Sequence, residues 1–380
     1  MTGRERIYAA LTGGEVDRPP LDYGCSFRLT HREMPTDELQ WGWMREERFL
    51  KLREHMRPWC DTHECFEPPL FNRYMMVTAN RITSEVTRET PDHRVIRGTI
   101  ALPSGDVYYE DHHRRGFATD WHIGVPAEDL DVLKRLLDAP FEVDETAVRS
   151  SVKMLRELDE RLGENGFPGL FLPSPAVAIS HGMHLENFLE FCFVEEKIVL
   201  DFCTEITRRI GLCIDALLAE NLPMCSFTFG GSEQFTPPMM HPESFDRFVV
   251  PFEGHLVKKL QASGRPVKCH CHGRVAYALK RILAMGYDAV DPIEPPPQGD
   301  ITYAEARAIA GDRMTLQGNL ELVEIERGSP EHMRMRIREL LSLGHKRLIL
   351  ADAGGLRQAV TETMYQNYRA MVDEYAAHFS

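Results

Sequence analysis

The chain has 380 residues, and its 58 acidic side chains outnumber its 44 Lys and Arg residues to give a formal net charge of −14. This charge disfavours a nucleic-acid role, because phosphate binding needs clustered basic residues. No apolar run approaches the ~20 residues that cross a bilayer, and residues 1–17 lack the apolar core of a signal peptide. Nine cysteines without a CxxC pair fit a reducing compartment, so we expect a cytoplasmic protein without a membrane partner.

Strands and helices alternate along most of the chain. A short amphipathic helix comes first, with Thr2 as its cap and Gly13-Gly14 as its stop signal. Strands are predicted at residues 20–24, 59–66, 169–174, 224–230, 266–271, 288–294, 314–318 and 347–353. The main helices are predicted at about 41–56, 145–162, 195–219 and 363–379.

This alternation predicts the fold class. Strands that alternate with helices pair in parallel through right-handed crossovers. Eight such units close more naturally into a barrel than they extend into an open sheet, and no GxGxxG follows any predicted strand. We therefore expect an α/β protein with one domain over residues 1–380, a (β/α)8 TIM barrel that begins with an N-terminal helix.

One region breaks the alternation. Residues from about 77 to 123 are rich in Thr, Val, Ile and Tyr, and a hairpin turn is predicted at Ser104-Gly105. We interpret this region as a β-meander inserted after the second strand, beside the mouth of the barrel.

Polar residues collect at the ends of the predicted strands, where barrel enzymes place their catalytic groups. Burying them without partners would cost several kcal/mol, so a shared polar pocket is expected. The strand-end residues are Asp22, Tyr23, Asp61, His63, Glu64, Glu233, His270, His272, Asp291, Glu294, Gln317, Asn319 and Asp352.

The segment Lys268–Gly273, KCHCHG, is the sharpest of these signals. Alternate residues of a strand point the same way, so His270 and His272 face one side and Cys269 and Cys271 the other. Two such imidazoles can share a zinc ion, or each can hydrogen-bond to a neighbouring carboxylate.

A metal at this place needs further ligands. Glu294, at the end of the next strand, is the first candidate, and Asp352 near the end of the eighth strand is the second. Cys269 and Cys271 would serve as metal ligands only if the strand were twisted or bulged, and otherwise we expect them to be small buried side chains.

Other candidates depend on weaker signals. Asp61 and His63 could form an acid/base pair or a solvated edge, and Glu233 follows a glycine pair in a loop over the mouth. Arg28, four residues before Arg32, could bind a substrate carboxylate or lie on a solvated helix face. The expected substrate-binding residues are Tyr23, Arg28, Ser174 and Asn319.

Several segments resemble the uroporphyrinogen decarboxylase-like family. The start is similar at Arg4–Ile7 and Asp17–Pro20, and the closing helix at Val360–Met371. Val267–Gly273 resembles the segment in which the cobalamin-dependent methyltransferases of this family carry His-x-Cys-Gly, and Gly318–Leu320 resembles their Gly-Asn motif. The resemblance implies a (β/α)8 barrel, in agreement with the strand count, and dimers are common in the family, so a homodimer is an expectation.

The resemblance points to the methyltransferase branch, because the Met-Arg-Gln-Ala-Gly-Arg motif of the true decarboxylases is absent. His270 matches the zinc-binding His of that branch, His272 stands where it has Cys, and Glu294 falls where related enzymes place a Glu. Residues 352–354 occupy the region of the branch's distant Cys. Nitrogen and oxygen ligands make a harder site and a better Lewis acid.

The expected function is therefore metal-dependent transfer of a methyl group from a small O- or N-methyl donor. The acceptor is a corrinoid held by a separate protein, because the chain has no DxHxxG motif. One alternative is decarboxylation of a polycarboxylated tetrapyrrole, with Asp61 holding the ring N–H groups. Another is a non-catalytic, ligand-binding barrel, in which the strand-end residues would not converge.

Overall fold

The computed structural model describes residues 1–74 and 77–380. Its strands are β1 Thr62–Phe66, β2 Ile82–Glu89, β3 His93–Ile100, β4 Val107–Arg114, β5 Asp120–Gly124, β6 Gly166–Pro173, β7 Ser226–Gly230, β8 Val267–His270, β9 Ala289–Asp291, β10 Thr315–Leu320 and β11 Leu348–Asp352. The α-helices are α1 Gly3–Thr12, α2 Glu38–Trp41, α3 Glu47–Met56, α4 Leu130–Asp138, α5 Glu145–Leu162, α6 Pro175–Ser180, α7 Leu185–Val194, α8 Glu196–Leu218, α9 Ser244–Phe248, α10 Val250–Gln261, α11 Ala276–Met285, α12 Tyr303–Ala310, α13 Leu322–Arg327, α14 Pro330–Ser342 and α15 Glu362–Phe379. Short 3-10 helices lie at Gly42–Arg45, Ala79–Arg81, Gly163–Asn165 and Ser232–Phe235.

A curled parallel sheet of seven strands organises the molecule, in the order β1-β6-β7-β8-β9-β10-β11. Every neighbouring pair is parallel, and helices connect most successive strands, as the alternating sequence pattern predicts. In a parallel sheet all carboxyl ends meet at one edge. The polar strand-end residues are therefore gathered at one end of the sheet.

The predicted first strand, residues 20–24, is reduced to a bridge of two residues. Leu21 pairs in parallel with Leu350 of β11, and Asp22 pairs in parallel with Asp61, just before β1. This bridge therefore stands between the two edge strands of the sheet. Pro19 and Pro20 have no N–H to donate and limit the strand on its N-terminal side, and residues 24–30 form turns that end it on the other.

A second sheet is antiparallel, with the order β2-β3-β4-β5. It covers most of the region in which the sequence predicts a meander, and Ile100 of β3 pairs with Val107 of β4. The predicted turn at Ser104-Gly105 lies between those two residues, so the hairpin prediction is confirmed.

The helix ends follow their capping residues. Thr2 caps α1 in a reciprocal capping box with Glu5, and Gly13 ends it in the left-handed conformation. The predicted helix at 41–56 is interrupted because Glu46 is extended, which separates α3 from the 3-10 turn before it. Within residues 1–74 and 77–380, no helix combines the length and the apolar character that spanning a membrane requires.

Candidate active site

A cavity of about 710 Å³ opens at the carboxyl ends of the parallel strands. We call it the main cavity. Every strand of the large sheet contributes to it, as does the bridge at Asp22. Its strand and bridge residues are Asp22, His63, Cys65, Phe171, Thr228, Lys268, His270, Asp291, Gln317, Ala351 and Asp352.

Strand β8 presents its polar side chains to this cavity. Lys268, His270 and His272 line the cavity, whereas Cys269 and Cys271 are fully buried between them. The predicted division of this segment into two faces is confirmed. Burial also raises the pKa of both thiols, as expected for small buried side chains rather than reactive thiolates.

Each of the two histidines is held by a carboxylate. His270 Nδ1 lies 3.2 Å from Asp291 Oδ1, and His272 Nδ1 lies 2.8 Å from Glu294 Oε1. The two rings meet edge to face with their centroids 4.7 Å apart. Because a carboxylate occupies Nδ1, the proton of each neutral ring lies there and Nε2 is left as the reactive nitrogen.

Opposing effects set the charges of these groups. Burial alone would raise the pKa of Asp291, but Lys268 and His270 together hold it below its ordinary value. Burial likewise opposes ionisation of Glu294, yet hydrogen bonds from His272 and the Gly273 N–H lower its pKa. Both carboxylates are therefore ionised beside the imidazoles.

A chain of hydrogen bonds crosses the floor of the main cavity. Gln317 Nε2 donates to Asp22 Oδ2 at 3.3 Å, and Lys268 Nζ donates to Gln317 Oε1 at 3.3 Å and to Asp291 Oδ2 at 3.0 Å. Asp22 also accepts the backbone N–H of His63 at 2.9 Å. Burial raises the pKa of Asp22 to about 7, so this carboxyl titrates near neutrality.

The predicted metal ligands are brought only partly together. His270, His272 and Glu294 are neighbours, but Asp352 accepts hydrogen bonds from Tyr368 Oη at 2.8 Å and from the Gly355 N–H at 2.9 Å. Within the described ranges, no three His, Cys, Asp or Glu side chains are arranged to hold a metal ion. Zinc binding by these residues therefore stays a prediction.

Two predicted residues lie away from the cavity. Asp61 is buried in an ion-pair network, with Arg6 Nη1 at 2.5 Å and Arg18 Nη1 at 3.0 Å from its oxygens. Tyr23 is buried among aromatic rings, edge to face with Tyr368 at 5.6 Å. Their positions favour a structural role for both side chains.

Asn319 and Ser174 are also buried in the scaffold. Asn319 Nδ2 donates to the Ile293 carbonyl at 2.8 Å, and its Oδ1 accepts from Arg336 at 2.7 Å. Ser174 precedes α6 and lies beside the buried carboxylate of Glu253. Neither residue lines the main cavity.

His63 and Arg28 do line the main cavity. His63 Nε2 is 2.7 Å from Ser226 Oγ, and burial lowers the pKa of His63 to about 3, so this ring is neutral at physiological pH. Arg28 has a positive φ of 49° and contacts His31 Nδ1 at 2.6 Å. Glu233 lines a smaller adjoining pocket together with His270.

The structure adds Lys268, Asp291 and Gln317 to the site. The sequence places Asp291 and Gln317 at strand ends without indicating a role for them, and it predicts no role for Lys268. The sequence does contain a signal for Lys268, because this residue stands two positions before His270 on the same strand and therefore lies on the same face as His270. A lysine within an otherwise apolar strand is rarely buried without a partner.

A family model described as uroporphyrinogen decarboxylase (URO-D) matches residues 119–378, more than half of the chain. No curated protein sequence matches the chain. A methyltransferase from Methanosarcina mazei has a similar structure, with a TM-score of 0.61, 14% identity and 100% of both chains covered.

A second similar structure is a B12-independent methionine synthase from Shewanella sp. W3-18-1, with a TM-score of 0.45, 9% identity, and 80% of this chain and 78% of that chain covered. This match is too distant to bear on the fold. The likeness to the Methanosarcina protein shows a shared fold. Because the family model spans most of the sheet and its site, the chain belongs to the uroporphyrinogen decarboxylase family.

Proposed function

We propose that the chain is a methyltransferase that removes a methyl group from a small O- or N-methyl donor and passes it to a corrinoid carried by a separate protein. The observation that carries this proposal is the pair of imidazoles at the end of β8, each fixed by a carboxylate and each lining the main cavity. The description of the Methanosarcina neighbour as a methyltransferase supports the reaction type.

The main cavity suits a small donor. Its volume of about 710 Å³ falls within the roughly 300–1,000 Å³ of ordinary small-molecule sites. Lys268 and Asp291 fix the floor of the cavity, and the half-buried His270 and His272 stand above them. A donor in this cavity would meet the imidazoles first.

Protonated His270 can act as the acid for an O-methyl donor. The methyl–oxygen bond breaks with its electron pair passing to oxygen, the methyl carbon bonds to the acceptor, and the leaving oxygen takes the proton from His270 Nε2. Ionised Asp291 stabilises the charged ring through Nδ1. Such a group contributes about 10²–10⁴-fold to rate.

No step of the proposed reaction is assigned to a metal. Zinc dependence stays a prediction, with His270, His272, Glu294 and Asp352 as its expected ligands. The corrinoid enters as a substrate brought by its own protein, and it also stays a prediction. A homodimer is a further untested expectation.

Decarboxylation of a polycarboxylated tetrapyrrole is the second candidate. Membership of the family favours it, as do Arg28 and Arg357, which line the main cavity and could bind carboxylates. The sequence-based form of this hypothesis used Asp61 to hold ring N–H groups, but Asp61 is bonded to Arg6 and Arg18 instead. The convergence of Lys268, Asp291 and His270 counts against a purely ligand-binding barrel.

A methyl-transfer assay tests the proposal, with free cob(I)alamin replacing the corrinoid protein and with O-methyl aromatic and N-methyl amine donors. We expect formation of methylcobalamin, followed by its absorbance, and about 10²-fold slower transfer from O-methyl donors in His270→Ala. His241→Ala is the control, because this side chain is 70% exposed and lines neither cavity. Loss of carboxylates from uroporphyrinogen, without methyl transfer from any donor, would overturn the proposal.

A further inference from the structure

A second cavity adjoins the main one at His270, which lines both. We call it the side pocket, and its volume is about 230 Å³. This is below the roughly 300 Å³ of the smallest ordinary ligand sites, so it suits one group of a ligand rather than a whole ligand. Its lining includes Glu67, Phe71, Arg73, Phe171, His181 and Glu233.

One oxygen of the Glu233 carboxylate, in the lining of this pocket, is not satisfied by the protein. Its Oε2 is buried from solvent and has no hydrogen-bond partner among the residues the structure describes. The loop that carries it is fixed, since Gly231 adopts a φ of 97° and Ser232 Oγ donates to Glu253 at 2.6 Å. A desolvated carboxylate oxygen without a partner raises the free energy of the folded protein, and a cation bound in the pocket would remove this cost.

The charges around the side pocket also favour a cation. Glu67 and Glu233 are both acidic. Arg73 is the only Lys or Arg among the described lining residues, and it forms an ion pair with Asp111 at 3.6 Å. Burial lowers the pKa of His181 to about 4, so that ring is uncharged at neutral pH. Transfer from a quaternary nitrogen needs no acid, and with His270 neutral the pocket carries a net negative charge.

The remaining wall of the side pocket is apolar and aromatic. Phe71 is 3% exposed, and Phe171 meets His270 edge to face with a centroid distance of 5.9 Å. Pro173 and Val177 complete this wall. Aromatic faces attract cations, and apolar contacts suit a nitrogen whose substituents are methyl groups better than one that needs hydrogen bonds.

We infer that the side pocket binds the quaternary methylammonium group of the methyl donor, with Glu233 as its counter-charge and Phe71 and Phe171 as its wall. The inference rests on the proposed methyl transfer and names its substrate class. A nitrogen in this pocket places one of its methyl groups beside His270, at the junction with the main cavity. The carbon–nitrogen bond breaks with its electron pair passing to nitrogen, the methyl carbon bonds to the corrinoid acceptor, and a neutral amine leaves without needing a proton.

Calorimetric binding of choline and of its uncharged isostere, in which carbon replaces the nitrogen, tests this inference without depending on turnover. We expect the wild-type protein to bind choline at least about tenfold more tightly than the isostere. Glu233→Gln should remove this preference, and Phe71→Leu should weaken choline binding several-fold by removing an aromatic face. Glu243→Gln is the matched control, because its side chain is 73% exposed and outside the pocket.

Equal binding of choline and its isostere, or an unchanged preference in Glu233→Gln, overturns the inference. The Phe71→Leu variant tests the site a second time if Glu233→Gln does not fold. Transfer from O-methyl donors without choline binding would overturn the substrate class and leave the methyltransferase proposal standing. Choline binding through Glu233 without methyl transfer from any donor would keep the site and overturn the proposed function.

Discussion

His270 Nδ1 and Asp291 Oδ1 lie 3.2 Å apart at the ends of neighbouring parallel strands. We expect Asp291→Asn to slow transfer from O-methyl donors by about 10²-fold, because the variant no longer stabilises a protonated His270. Transfer from quaternary N-methyl donors should fall less, since their leaving group needs no proton. Rates with both donors check this, with the exposed Asp312→Asn as control. Equal losses with both donors would contradict the role of His270 as an acid.

Lys268 and Asp291 form a buried ion pair at 3.0 Å, with side chains 7% and 14% exposed. Lys268→Met leaves the carboxylate buried and without its ammonium, so we expect the free energy of unfolding to fall by about 3–5 kcal/mol. The double variant with Asp291→Asn should recover much of this loss, because it removes the stranded charge. Urea unfolding of the wild type, the two single variants and the double variant measures the coupling free energy between Lys268 and Asp291. Strictly additive losses would show that the pair does not interact.

Asp61 stabilises the fold rather than the reaction, according to its place between Arg6 and Arg18. Asp61→Asn should lower the free energy of unfolding by about 3–5 kcal/mol, because Arg18 loses its counter-charge and Arg6 keeps only Asp17. The rate per folded molecule should change by less than about twofold, since the side chain does not line the main cavity. Urea unfolding and active-site-normalised rates separate the two effects. A large loss of rate at unchanged stability would restore the sequence-based catalytic assignment.

The raised pKa of Asp22 makes stability depend on pH. Burial raises its pKa from 3.8 to about 7, so between these values the folded chain holds a proton that the unfolded chain releases. Its contribution to stability is therefore full at low pH and is lost as pH rises through this window. Asp22→Asn should flatten the decline in melting temperature from pH 5 to pH 8. An unchanged decline, equal to that of Asp312→Asn, would contradict this assignment.

Zinc should bind at His270 and His272, with Glu294 and Asp352 as further ligands, if the sequence-based metal prediction is right. Asp352 accepts hydrogen bonds from Tyr368 and Gly355, so we expect weaker affinity than at a closed four-ligand site. Metal analysis after equilibrium dialysis should find bound zinc in the wild-type protein and none in His270→Ala/His272→Ala. Equal zinc in both proteins, or none in either, would refute the prediction.

Much of the fold could be predicted from local patterns. The bounds of α5 match those predicted, and the two faces of β8 follow from the two-residue period of a strand. The reduction of the predicted first strand to a two-residue bridge could not be predicted, because its pairing depends on the distant Leu350 and Asp61. The sequence also suggested Glu294 as a metal ligand, whereas its hydrogen bonds to His272 and Gly273 depend on how the loop after β9 closes over β8.

The sequence by itself determined the alternation of strands and helices and the cluster of ionisable residues at strand ends, because both are encoded in short-range periodicity. Only the tertiary structure decided which of those residues share a cavity. Asp61 lies one residue before β1 and forms ion pairs with Arg6 and Arg18. Lys268, two residues before His270, instead forms an ion pair with Asp291 on the next strand. Partners of this kind come from chain segments tens of residues apart, so the role of a charged side chain is set by packing that no local pattern contains.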